Sequence, residues 1–166
     1  AVATPATAEG PRRRQGLRAG GRRRVVLIHA PSGFGKSTLA AQWREELVRD
    51  GVAVAWLTID DDDNNVVWFL AHLLESLRRV RPALAASLGQ VLEEHGDHAG
   101  RYVLTTLIDE IHDDDDRIAL VIDDWHRVSD PATTAALGFL LEHGCHHMQI
   151  IVTSWSRAGL PVSRLR

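Results

Sequence analysis

From residue 25 onward the apolar and polar positions alternate between two periods. "VVLIHA" (25–30) is apolar throughout and bounded by arginine and proline, which suits a strand buried on both faces. "KSTLAAQWREELVRD" (36–50) switches to helical spacing, with Leu39, Trp43 and Leu47 on one stripe and Gly51 as the stop. "VAVAWLTI" (52–59) predicts a second buried strand. "NNVVWFLAHLLESLRRV" (64–80) predicts an amphipathic helix, with Asp63 or Asn64 as the candidate cap and Pro82 as the breaker. Two more helical stretches follow near 83–94 and 99–112. "RIALVID" (117–123) is a third strand, "PATTAALGFLLEH" (131–143) a helix with Pro131 in its first turn, and "MQIIVTS" (148–154) a fourth strand. There is no internal repeat. Strands alternating with helices predict a parallel sheet with crossover helices on both faces. Such sheets take their ligands at the carboxyl ends of the strands.

The first 20 residues, "AVATPATAEGPRRRQGLRAG", have no such period and read as a flexible basic linker (1–21) ahead of one domain (22–166). A chain of 166 residues with 45% apolar and 25% charged residues can bury a real core and reads as soluble and globular. Charge is unevenly spread. Seven arginines fall within 12–24, so the remainder is acidic despite a net charge of only -3, with four-aspartate runs at 60–63 and 113–116. The single cysteine excludes an internal disulfide and asks for no oxidising compartment. The longest apolar runs are strand-length, so no membrane span is expected, and no apolar stretch of signal-peptide type follows the early arginines. A cytoplasmic setting is the expectation.

The residues between the first strand and first helix carry the first chemistry. "APSGFGKST" (30–38) contains Lys36, the only lysine among 19 basic residues. A phosphate-binding loop needs a strand feeding a flexible turn, inward backbone N–H groups and a helix N-terminus facing the anion. Gly33 and Gly35 let the backbone wrap closely, Lys36 offers a compact charge on a long stem, and Ser37 offers a hydroxyl to Mg²⁺. Thr38 lies in the first helical turn. Ala30 replaces the first glycine of the G-x-x-x-x-G-K-[ST] pattern; Pro31, Ser32 and Phe34 complete the loop. A generic glycine-rich turn before a lysine is the competing reading, and the flanking strand, helix and unique lysine weigh against it.

"IALVIDDWH" (118–126) ends a strand in two acids. Asp123 is the candidate metal carboxylate, acting through water if need be, and Asp124 the candidate to orient or deprotonate an attacking water. A solvated strand end is the bland reading of the pair, outweighed by its place after a phosphate loop. In "QIIVTSWSR" (149–157), Thr153, Ser154 and Arg157 are candidates to sense a γ-phosphate, weighed equally against polar residues that simply close a strand.

In this order the segments resemble the ATPase domain of MalT-type, or large ATP-binding LuxR-type, regulators, which belong to the signal-transduction (STAND) class of P-loop NTPases. The resemblance rests on "APSGFGKSTLAAQW" (30–43), "VAWLTIDDDDNN" (54–65) with "FLAHLLESL" (69–77), "VIDDWHRVSD" (121–130) and "IIVTSWSRAGLPVSRLR" (150–166). The wording is also close to the MalT-like segment of a bacterial serine/threonine protein kinase. The resemblance implies a three-layer, ASCE-type P-loop sheet with helices on both faces, ending here before the last strand and the lid. It implies ATP and Mg²⁺ as cofactors, held by residues 30–38 and by Ser37 and Asp123. Lys36, Asp124, Ser154 and Arg157 would act on the phosphates and the water. The family usually has arginine where Trp155 stands, which leaves γ-phosphate sensing to Ser154 or Arg157, or weakens it.

The implied partners are the nucleotide, other domains of the same polypeptide and regulatory proteins, with DNA reached only through an output domain. A nucleotide-dependent oligomer belongs to the same picture, and a membrane does not. No helix-turn-helix and no protein-kinase H-R-D or D-F-G motif is visible. Two other classes compete with this one. A small-molecule or nucleotide kinase would need a second substrate pocket and a basic lid, and neither is visible. A nucleic-acid module would use the arginine-rich arm, although a solvated linker accounts for that arm better. The 60–65 run is expected to cap the next helix and stay solvated rather than bind a regulatory metal. "HDDDD" (112–116) is expected to be an exposed loop. "HGCHH" (143–147) crowds its candidate ligands into one short loop with no second cluster to complete a zinc site.

Overall fold

The computed structural model describes residues 5–6, 25–29, 36–84, 86–113, 117–144 and 148–155. Its elements in chain order are β1 (Pro5–Ala6), β2 (Val25–His29), α1 (Lys36–Arg49), β3 (Ala53–Thr58), α2 (Val66–Val80), α3 (Leu88–His95), α4 (Gly100–Asp113), β4 (Ile118–Asp123), α5 (Pro131–Gly144) and β5 (Gln149–Ser154). Short 3₁₀ turns at Asp61–Asn64, Gly96–Ala99 and Trp125–Arg127 link some of them.

The sheet order is β1-β2-β5-β4-β3, and every pairing is parallel. The last strand of the described chain is thus inserted between the first long strand and the acid-bearing one. This is the three-layer α/β P-loop arrangement expected from the sequence. At the β2 edge, Pro5 and Ala6 pair with Leu27 and Ile28, inside the stretch read as linker.

Burial explains the apolar runs. All six residues of β4 are buried, as are five of the six in β5, because both strands are internal and covered on both faces. Residues 103, 104, 107, 108 and 111 of α4 and 69, 70, 73, 74 and 77 of α2 form buried stripes at helical spacing. On α1 the buried set is Leu39, Ala40, Trp43 and Leu47, while Arg44 lies over the ring of Trp56 on β3. A fully buried Leu or Phe contributes about 1.5–3 kcal/mol relative to exposure, so these stripes, not helix propensity, decide that the helices form.

The helix ends are chemically specified. After α1, Val52 N–H donates to Leu47 C=O at 2.9 Å and Gly51 N–H to Val48 C=O at 3.1 Å, the paired bonds of a Schellman stop. Gly51 has φ +84°, which glycine adopts without strain. The cap of α2 differs from the expectation. Asn65 fills it, its side chain accepting from Val67 N–H at 2.9 Å and Trp68 N–H at 3.3 Å. Asp63 and Asn64 instead lie in the 3₁₀ turn before it, since that extra turn moves the true helix start one residue on. No helix among the described residues is long and apolar enough to cross a membrane.

Candidate functional site

The strands β2, β3, β4 and β5 end together, at His29, Thr58, Asp123 and Ser154, with Thr58 registered on Asp123 and His29 on Ser154. The helix α1 leaves from this edge. Lys36 opens it, and Ser37 and Thr38 fall in its first turn, where N–H groups without an intrahelical partner and the helix dipole favour an anion. Residues 30–35, the rest of the glycine loop, lie outside the described residues.

The acid pair occupies the same edge in a defined geometry. Asp123 is 6% exposed, and one of its carboxylate oxygens accepts a hydrogen bond from the Thr153 hydroxyl. That hydroxyl also accepts from Asp124 N–H at 3.0 Å. Thr153 is fully buried, so its single side-chain oxygen ties the end of β5 to both acids. Asp124 is the one non-glycine residue among those described with a positive φ (φ 64°, ψ 41°), a left-handed conformation that aspartate tolerates better than most side chains do. The conformation turns the chain out of β4 into the Trp125–Arg127 turn. Trp125 is fully buried there, edge-on to Phe69 of α2 at 5.9 Å.

Ser154 is fully buried at the end of β5, whereas Trp155 is 51% exposed. Trp155 N–H donates to His126 Nδ1 at 3.2 Å, and the two rings lie 4.6 Å apart, tilted by 37°. An exposed tryptophan packed against a half-buried histidine therefore occupies the place where the sequence resemblance leads one to expect arginine. Arg157 lies outside the described residues.

The 60–65 run packs against the segment that follows the acids. Asp60 and Asp63 cap their own turn reciprocally: Asp60 Oδ1 accepts from Asp62 N–H, and Asp63 Oδ2 accepts from Asp60 N–H, each at 2.9 Å. Asp63 is 1% exposed, so the run is not uniformly solvated as expected. His72 Nδ1 lies 3.2 Å from both Asp63 oxygens. Asp60, Asp63 and His72 could in principle gather round a cation, yet the Asp63 carboxylate already has protein partners. Of the histidine-rich loop, the His143 ring lies 4.4 Å from that of Phe139, tilted by 49°, while residues 145–147 lie outside the described residues.

Two residues named in the sequence for other tasks, Thr153 as a phosphate sensor and Asn64 as a helix cap, have partners that the sequence does not indicate. Thr153 was a candidate sensor, and nothing in a row of strand-closing polar residues says that its hydroxyl faces the neighbouring strand. Asn64 was one of six interchangeable polar residues; its partners lie more than 60 positions away.

A parallel sheet with a strand inserted between the loop-bearing and acid-bearing strands, and an acid pair beside the helix that follows a glycine loop, defines the P-loop α/β class. Residues 15–152 match the AAA ATPase domain family, and the chain belongs to that family. Over 150 residues it is 84% identical to the serine/threonine-protein kinase PknK of Mycobacterium tuberculosis and, equally, of Mycobacterium bovis; the match covers 90% of this chain and 14% of each kinase. Over 143 residues it is 28% identical to the HTH-type transcriptional regulator MalT of Vibrio parahaemolyticus, covering 86% of this chain and 15% of the regulator. The matches agree with the resemblance read from the motifs. The chain spans only 14% to 15% of the length of these relatives.

Proposed function

We propose that this domain is an ATP-binding, Mg²⁺-dependent and slowly hydrolysing switch module of a larger signalling or transcription-regulating protein. One observation carries the reading. In a chain of the AAA ATPase domain family, the first turn of α1, which carries Lys36, leaves from the same sheet edge that holds the Asp123–Thr153–Asp124 cluster. The relatives' names, a protein kinase and a transcriptional regulator, support a regulatory setting, since each contains the segment within a much longer chain.

The roles follow from residue chemistry. Residues 30–38 cradle the phosphates through backbone N–H groups, with Lys36 reaching the β- and γ-phosphates. The Asp123 carboxylate and Ser37 hydroxyl are hard oxygen donors, the kind Mg²⁺ takes while keeping most of its waters. The cation supplies charge neutralisation on the phosphates. Asp124 orients the water, and Ser154 and Arg157 are the groups assigned to the γ-phosphate. Binding closes the domain on its neighbours in the polypeptide or on a further copy, and hydrolysis resets it. A cytoplasmic setting goes with this reading.

The test combines calorimetric binding of Mg·ATP with phosphate release for the wild type, Lys36→Ala and Asp123→Ala. Lys36→Ala is expected to abolish nucleotide binding. Asp123→Ala is expected to bind more weakly and release no phosphate. Release by the wild type without any acceptor separates a switch ATPase from a small-molecule kinase. A wild type that takes up no adenine nucleotide contradicts the proposal.

A further inference from the structure

The 60–65 run is a sequence motif that the nucleotide reading leaves without a task. Its side chains divide by reach. Asp60 and Asp63 serve their own turn and Asn65 caps α2, whereas Asn64 turns away from its neighbours in sequence. The Asn64 Oδ1 accepts from Ser129 N–H at 2.7 Å and Asp130 N–H at 3.1 Å, and its Nδ2 donates to Arg127 C=O at 3.1 Å. Three main-chain groups of the non-repetitive segment after β4 are thus satisfied by one amide side chain. The same loop grips Arg127 twice more: its guanidinium donates to Ile59 C=O at 3.4 Å and to the Asp61 carboxylate at 3.2 Å.

Arg127 is the link to the acid pair. Its own N–H donates to Asp124 C=O at 3.1 Å, closing the 3₁₀ turn. On its other side Asp124 N–H is held by the Thr153 hydroxyl. The left-handed peptide of Asp124 is therefore fixed at both ends, by β5 in front and, through Arg127, by the Asn64 loop behind. We infer that Asn64 is a positioning residue for hydrolysis: its amide anchors the segment 127–130 and so sets the direction in which the Asp124 carboxylate leaves β4. The inference rests on the proposed role of Asp124 and assigns Asn64 no contact with nucleotide. Small displacements of an orienting group lower turnover without changing how tightly substrate is held.

The experiment compares wild type, Asn64→Ala and Asn64→Asp in steady-state phosphate release, calorimetric Mg·ATP affinity and amide hydrogen exchange. Asn64→Ala is expected to lower kcat by about tenfold or more while KM and affinity stay within about twofold, the signature of an interaction that matters only at the chemical step. The Ser129 and Asp130 amides should exchange faster in that variant. Asn64→Asp keeps the accepting oxygen and loses the bond to Arg127 C=O, so it should fall between the two. It also carries the comparison should the alanine variant not fold. An unchanged kcat in either variant, or a loss confined to affinity, overturns the inference while leaving the nucleotide reading intact. A wild type that binds Mg·ATP without turnover also overturns it, since Asp124 then has no water to orient. A wild type that binds nothing sinks the nucleotide reading itself.

Discussion

The Thr153 hydroxyl donates to the Asp123 carboxylate and accepts from the Asp124 amide, so a single buried oxygen organises both acids. Removing it while keeping the shape of the side chain isolates that task. Thr153→Val is expected to lower the unfolding free energy by about 1–3 kcal/mol, because a buried carboxylate and a part-buried amide each lose a hydrogen bond. Thr153→Ser keeps the oxygen and loses one methyl group, for which about 0.8 kcal/mol is the expected cost. Urea titrations of the two variants check the difference; equal destabilisation would mean that the methyl packing matters and the hydroxyl does not. At this scale the sequence was legible where a residue type was exceptional. Lys36 stood out as the only lysine, and Asp123 and Asp124 as acids closing an apolar run. The tasks of Asn64 and Thr153 were not legible, because each is set by a partner on another element, 63–66 residues away for Asn64 and 29–30 for Thr153.

The helices and strands begin and end where local chemistry tells them to, and most of that was visible in advance. Each long strand was read within a residue or two, since an apolar run between polar residues has few ways to be misread. The stop of α1 at Gly51 also held, and it offers a clean test. No atom of the described residues beyond its chain neighbours lies within 4 Å of where a Cβ would stand, so among them Gly51→Ala meets no clash and costs only backbone conformation. At φ +84° that should cost about 1–2 kcal/mol, with Gly51→Asn costing less, measured by thermal unfolding. A neutral alanine variant would mean that α1 ends by packing alone. The start of α2 lies one or two residues beyond the position expected from the sequence. In a run of four aspartates and two asparagines every residue can cap, and the intervening 3₁₀ turn, built from the Asp60–Asp63 reciprocal bonds, has no periodic signature.

Across the whole molecule the sheet brings distant residues to one edge. Its order, with β5 between β2 and β4, is not written in hydropathy, because the apolar runs of these three strands are interchangeable. It was legible only through the motif order and the family resemblance that this order carries. The register then puts Thr58, Asp123 and Thr153 side by side at the carboxyl edge, with Ala53, Ile118 and Gln149 at the opposite edge. These two ends are about 17 Å apart at the rise of a parallel strand, far enough for a local probe to distinguish. The direct measurement is therefore paramagnetic broadening of backbone amide resonances by Mn·ATP in place of Mg·ATP. The account predicts that the Thr58, Asp123, Asp124 and Thr153 signals are lost at the lowest Mn·ATP, that Ala53, Ile118 and Gln149 broaden least, and that Lys36→Ala shows no broadening. Broadening centred on the opposite edge, or an unaltered spectrum at saturating nucleotide, would contradict it.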